Sequence, residues 1–455
     1  MKRNHYHPDN LCIPFTGTVI SEKLLQFIWQ MQYFNQSELR AIEGDSIEIL
    51  APGIHNKDQG PDFLDARIQI GSTLLAGSIE LHLHTSEWEA HRHDGDENYR
   101  NVILHVVFRH DRDAGSHIPV LELEPRISGL MLEKYHVMMQ SAAFISCGTA
   151  ITQVNPLIWT AWKESLIAMR FDRKATGILA DLQQSRNHWE EVFWWRLARY
   201  FGTRVNTDAF EAMARSLPVA VLSRHRNQVH QMEALLFGQA GLLRHEFSES
   251  YPVMLKKEYG FLCKKYGLRP IDMPVHFLRM RPGNFPTIRL AQLAVLLQGS
   301  ERLLPVILEA DNMNELRGML SVTANDYWHY HYRFDQPSAY KVKQVGSEMV
   351  NGLLLNVILP VQFAYGKYHQ RDDLKERAHR WLMELPAEDN AITTGFRSLK
   401  VQGRSAWDSQ ALVELKSRFC MHRRCLECAV GNSILKGLSD AAAFFVTAAG
   451  GLLGS

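Results

Sequence analysis

The chain has 455 residues, 46% of them hydrophobic and 22% charged, and a formal net charge of +1. That length exceeds one ordinary core and implies two or three domains of a globular protein. The near-zero charge excludes a globally basic binder of nucleic acid or membrane, so any polyanion must be met by a local patch.

Residues 1–20 read as an irregular extension, with Pro8, Pro14 and Gly17 and no periodicity. Two basic residues stand there without an apolar h-region, so no signal peptide is expected. Ser21 is placed to cap a helix whose Leu24, Leu25, Phe27, Ile28 and Met31 form an apolar face. Ser46–Leu50 alternates and stops at Pro52-Gly53, a strand and turn. Phe63–Ile70 and Leu74–His84 read as two strands about a Gly-Ser turn. A polar connection with a short helix from Ser86 follows, then strands Val102–Phe108 and Pro119–Leu123. This is an α/β or α+β domain over residues 21–130. From Pro156 the pattern becomes helical, giving a larger all-α domain over 150–415. His188–Gly202, Val229–Leu243, Ile288–Leu297 and Gly352–Leu359 are its clearest pieces, punctuated by prolines 218, 252, 274, 286 and 360. A Cys-rich segment, 416–436, and a small-residue tail, 437–455, complete the chain. The apolar run Ala441–Leu453 is too short to span a bilayer, so no membrane partner is expected.

Chemistry concentrates between Gly60 and Val107. Side chains two apart on a strand share a face, so Glu80, His82 and His84 point the same way. Asp62 opens the preceding strand. Paired strands lie ~4.8 Å apart, close enough for two carboxylates to share one divalent cation, Mg²⁺ or Mn²⁺. Such an ion activates water and stabilises charge on a phosphoryl oxygen. The bland alternative is that Asp62 is a turn cap and Glu80 a hydrogen-bonded structural group. Histidines spaced as His91 and His93 bind zinc, so a second arrangement uses His82, His91, His93 and His105. His105, in mid-strand, also suits a satisfied core histidine. Trp88 and Tyr99 read as packing anchors for the loop.

Pro61-Asp62 followed by Glu80-Leu81-His82, in helix–strand–strand–strand–helix–strand order, resembles the PD-(D/E)XK restriction-endonuclease-like fold. The resemblance implies an Mg²⁺- or Mn²⁺-dependent nuclease with Asp62 and Glu80 as metal ligands. His82 stands where that superfamily has a lysine. An imidazole lacks lysine's fixed charge, so His82 would act as a base or as a ligand. More of the chain is similar to an uncharacterised bacterial family known only as a domain of unknown function. LLQFIWQMQYFN, GSIELHLHTSEWEAHRHD, YRNVILHVV, RPGNFPTIRLAQLA and CLECAVGNSIL carry that likeness.

Cys420, Cys425 and Cys428 crowd into nine residues of a chain with six cysteines. Thiolates at this density suit zinc or an iron–sulfur cluster. A fourth ligand is needed; His422 is near in sequence, while Cys12, Cys147 and Cys263 depend on the fold. Ordinary buried thiols are the alternative. A local basic stretch holds Lys256, Lys257, Lys264, Lys265, Arg269, Arg279 and Arg281, interleaved with Tyr259, Phe261, Tyr266 and Phe277. It suits nucleic-acid backbone contacts with stacking, or a solvated helix face. Asn325–Phe334, dense in aromatics, suits either a stacking surface or the core.

The expectation is a cytoplasmic, metal-dependent nuclease of unspecified substrate. Its rivals are a non-catalytic nucleic-acid- or protein-binding scaffold on a degenerate nuclease fold, and a zinc-dependent hydrolase built on the histidines.

Overall fold

A computed structural model describes residues 12–15, 18–91, 93, 96–112, 117–278, 280–299 and 303–437. The chain divides into two units, one of residues 1–162, 397–401 and 415–455, the other of residues 163–396 and 402–414.

The first unit is built on a mixed sheet. Strands β1 (Cys12–Phe15) and β2 (Thr18–Ser21) form an antiparallel hairpin where the sequence suggested irregular chain. Ser21 then caps α1 (Glu22–Gln30), its hydroxyl accepting from Leu24 N at 3.3 Å. Leu24, Leu25, Phe27, Ile28 and Trp29 of α1 are buried, and the helix packs on β6. The strands are β3 (Ile47–Ala51), β4 (Ile54–His55), β5 (Phe63–Ile70), β6 (Thr73–His84), β7 (Val102–Arg109) and β8 (Val120–Glu122). Their order is β3-β5-β6-β7-β8, with β4 also beside β5. The β3/β5 and β5/β6 pairs are antiparallel, and β6/β7 and β7/β8 are parallel.

A parallel β6/β7 pair requires a crossover, supplied by α2 (Glu87–Ala90) and a 3-10 turn at Glu97–Tyr99. Parallel strands are covered on both faces. Gly77–Leu83 of β6 is accordingly buried without a break, and strict alternation is lost there. Gly77 sits where β7's approach is closest. A Cβ there would meet Asn101 O and Ile103 Cγ2, each at 2.5 Å. After β8 comes α3 (Gly129–Gln140).

The second unit is helical. Helix α4 (Pro156–Gln184) leads into it, and α5 (Trp189–Phe201) buries Val192, Phe193, Trp194, Trp195, Leu197, Ala198 and Phe201. Pro360 does not punctuate this unit as its sequence suggests. Residues 347–368 are one helical rod with a π-helical turn at Leu354–Ile358, where Leu359 N donates to Leu354 O. The wider turn relieves the clash that a proline makes with the carbonyl four residues back. This rod is long and apolar enough to cross a membrane, but two-thirds of its apolar window is buried inside the fold. A core helix passes the same test of length and composition.

In the aromatic segment 325–334, Trp328 and His331 are buried while Tyr330 is exposed. Trp328 is fully buried, and its Nε1 donates to both oxygens of Glu233, at 3.1 and 3.2 Å. Tyr251 Oη donates to Glu233 Oε2 at 2.8 Å, and Asn325 Nδ2 also donates to this carboxylate. Burial pushes Glu233 up to about 8.

The basic stretch falls on the helix Ser250–Tyr266 and the chain after it. Lys257, Lys264, Lys265, Arg269 and Arg281 are exposed. Lys256 is half-buried, its Nζ donating to His245 O and Glu246. Arg279 lies outside the described residues. Tyr259 and Tyr266 are committed to the fold, with hydroxyl contacts to Gln239 and His225, whereas Phe261 is open to solvent.

Candidate metal centre

The residues that bear chemistry meet on β6, between the start of β5 and the β6–β7 crossover. Asp62 immediately precedes β5, and the antiparallel register sets Phe63 opposite Ile79, bringing Asp62 beside Glu80. Asp62 N donates to Glu80 Oε2 at 3.0 Å. Asp62 Oδ2 accepts from Leu81 N at 3.1 Å, and Oδ1 accepts from Gln26 Nε2 at 2.8 Å. Glu80 is buried and Asp62 half-buried. Burial raises both carboxyl groups, and the Asp62 charge raises Glu80 further. Two carboxylates so placed resist simultaneous ionisation.

Glu80 Oε1 turns towards the histidines. It lies 3.6 Å from His82 Nε2 and 3.5 Å from His93 Nε2. His82 Nε2 is 3.1 Å from His91 Nδ1. One ligand nitrogen from each of His82, His91 and His93 lies within 4.8 Å of the other two. Ligands ~2.0–2.1 Å from a tetrahedral ion stand ~3.3 Å apart, so the His82–His91, His82–Glu80 and His93–Glu80 separations match edges of such a shell. Glu80 is not among the atoms that lie within 4.8 Å of one another. His91 is exposed and forms the open rim of the site, whereas His82 and His93 are buried.

The crossover folds back on β6 because its polar groups cap its own turns. Glu87 Oε2 accepts from Leu83 N at 2.9 Å, fixing α2 against the end of the strand. Asp96 caps the 3-10 turn by accepting from Asn98 N. Trp88, 1% exposed, lies beneath with its ring 5.1 Å from His105, 5.2 Å from His93 and 6.4 Å from His82. Tyr99 stacks on His93 at 3.8 Å. The two aromatics therefore hold imidazoles as well as the loop.

His105 lies opposite Glu80 in the parallel register of β6 and β7 and is fully buried. Its Nε2 is 2.9 Å from His82 Nδ1. Burial pushes His105 down to about 3 and holds His82 well below its usual value. Both are neutral imidazoles, so their lone pairs are available. If His82 Nδ1–H donates to His105 Nε2, the His82 Nε2 lone pair faces Glu80 and His91. This is how a ligand imidazole is oriented by an outer partner. His84 stands apart, half-exposed, with Nδ1 3.5 Å from Glu87 Oε1.

Of the site residues expected from sequence, Asp62, Glu80, His82, His91, His93 and His105 are thus brought together. Gln26, which holds Asp62, was not anticipated; its position on the polar side of α1 was the available signal. Cys420, Cys425 and Cys428 lie elsewhere in the first unit, and none of their sulfurs is in this group. No curated protein and no solved structure matches the chain. A family model described as "Protein of unknown function (DUF2851)" matches residues 22–391, and the chain belongs to that family.

Proposed function

We propose that this protein is a metal-dependent hydrolase acting on phosphodiesters, with a transition-metal ion held by His82, His91, His93 and Glu80. The carrying observation is the cluster of three imidazole nitrogens with Glu80 Oε1 at 3.5–3.6 Å from two of them. Neutral nitrogen ligands favour Zn²⁺ over Mg²⁺ and Mn²⁺, which prefer oxygen donors. A bound ion of this kind supplies a water of lowered pKa and polarises the oxygen it touches. Asp62, next to Glu80 and raised in pKa by burial, would be the nearby base for a water that such an ion activates. His105 keeps His82 in the ligating tautomer.

The choice of phosphodiester rests on the sheet. The order of helix, three antiparallel strands, a crossover and a parallel strand, with one carboxylate just before β5 and another on β6, resembles that of PD-(D/E)XK nucleases and supports this reading. The proposal differs from that family's pattern in replacing the lysine by an imidazole that binds the ion. Exposed Lys257, Lys264 and Lys265 offer a nucleic acid a positively charged helix face. Cys147, Cys263, Cys420, Cys425 and Cys428 are free thiols, which suits a reducing, cytoplasmic setting.

The test is cleavage of single- and double-stranded DNA and RNA by the purified chain with Zn²⁺, Mn²⁺ or Mg²⁺. Metal-dependent cleavage should fall at least about 100-fold in Glu80→Gln and His91→Ala. Cleavage undiminished by Glu80→Gln would refute the assignment. Metal binding without turnover on any of these substrates would favour the scaffold reading, for which His82 in the lysine position is the supporting feature.

A further inference from the structure

The cysteine trio of the chain's end does not stand alone. Cys147 lies in the turn after α3, where Gly148 N donates to Ile145 O and Ala150 N to Cys147 O, both at 3.1 Å. This turn is packed against the segment that carries the trio. Lys416 Nζ donates to Phe144 O and lies 4.5 Å from the Phe144 ring centroid, while the Trp162 and Phe419 rings meet at 5.2 Å. Cys147, Cys425 and Cys428 are buried and Cys420 is partly so; none is in a disulfide. His422, the neighbour in sequence, is exposed. Cys263 lies in the other unit, its Sγ donating to Leu268 O.

We infer that Cys147, Cys420, Cys425 and Cys428 form a four-thiolate centre for a thiophilic metal, either a zinc ion or an iron–sulfur cluster. The centre ties the turn after α3 to a segment that follows it by some 270 residues of sequence.

The surroundings are those of a thiolate centre. Cys428 is the N-cap of the helix Ala429–Lys436, and the Val430 and Gly431 amides lie near its sulfur without a capping hydrogen bond. The Trp162 indole N–H, buried and without a hydrogen-bond partner, lies near the same sulfur. Ser146 contacts the Cys425 thiol. Amide and indole donors aimed at sulfur stabilise S⁻ rather than SH, and a helix N-terminus adds to this. Burial nevertheless raises all four thiols, and each of Cys147 and Cys420 is raised further by the other cysteines. Three buried thiols and a half-buried fourth, with N–H groups near Cys428, are poorly satisfied without a cation. Gly431 is required here, since a Cβ would meet Cys425 O at 2.3 Å. Among the described residues only the imidazole trio has its ligand atoms within 4.8 Å of one another. The sulfurs are more widely set, so a zinc ion would draw them inward, whereas a cluster would fill the wider span.

The test uses the full chain, purified without oxygen in a His82→Ala/His91→Ala background so that the imidazole site takes up no ion. Zinc, iron and acid-labile sulfide are measured per chain. The expected result is about one zinc, or iron and sulfide in about equal amounts. Either should be retained in His422→Ala and Cys263→Ser and fall at least about tenfold in Cys147→Ser and Cys428→Ser. Absence of bound metal, or retention in Cys147→Ser with loss in His422→Ala, would overturn the assignment. If the serine variants do not fold, X-ray absorption on the otherwise unmodified background decides. Four sulfur ligands support the centre; fewer sulfurs, or none, overturn it.

Discussion

Replacing His105 tests the tautomer logic of the imidazole site. His105 Nε2 stands 2.9 Å from His82 Nδ1, and His82 is 1% exposed, so no solvent is at hand to replace a lost partner. In His105→Leu the His82 Nδ1–H loses its acceptor, at a cost of about 1–3 kcal/mol for an unmade buried hydrogen bond. The proton then moves to Nε2, the nitrogen that faces Glu80 at 3.6 Å, and the metal must displace it. Loss of such an outer partner weakens metal affinity about 10–100-fold, or roughly 1.4–2.7 kcal/mol. His105→Gln places an amide oxygen within reach of the same Nδ1–H and should recover most of the affinity. Competition with a chromophoric chelator measures zinc affinity, and thermal unfolding of each metal-free variant controls for packing. Zinc binding by folded His105→Leu within about twofold of the unmodified protein would refute the reasoning and leave His105 a core filler.

Metal binding should strengthen with pH, because Asp62 and Glu80 are raised by burial and must release a proton to the incoming cation. Titrations in buffers of different ionisation enthalpy should show net proton release, and no release would contradict the raised carboxyl groups. Glu233, pushed up to about 8, favours the folded state most fully below the ordinary carboxyl range near ~4.3, and loses that contribution as pH rises through 8. Relative to Glu233→Gln, the unmodified chain should therefore lose stability, on the order of a few kcal/mol, between roughly pH 5 and 9. Parallel denaturation curves for the two proteins across that range would oppose this. Gly77→Ala should destabilise by about 1–3 kcal/mol, since its Cβ meets Asn101 O at 2.5 Å; an unchanged urea midpoint would mean that β7 can yield. Neutralising Lys257, Lys264 and Lys265 together should reduce the salt slope of nucleic-acid binding by about 2–3. An unchanged slope would remove that face from the proposal.

The sheet was legible because its outer strands follow a period of two and its turns carry Gly and Pro. The Gly-Ser turn between β5 and β6 and the Ser21 cap of α1 stand where the sequence places them. Glu80 and His82 were legible together, since strand geometry alone puts them on one face. What joins His91 and His93 to them is tertiary: the capping by Glu87 and Asp96, and the seat provided by Trp88 and Tyr99. No spacing rule encodes that return. Cys147 stood among three candidate fourth ligands for the cysteine trio, and sequence spacing could not choose between them for the same reason. Pro360 misled because a proline ordinarily ends a helix, and the π turn that accommodates it has no evident sequence signature.

Diffraction from crystals soaked in Zn²⁺, recorded above and below the zinc absorption edge, is the most direct test of the imidazole site. The prediction is an anomalous peak ~2.0–2.2 Å from His82 Nε2, His91 Nδ1, His93 Nε2 and Glu80 Oε1. Zinc bound elsewhere while these four groups keep their present spacing would contradict it.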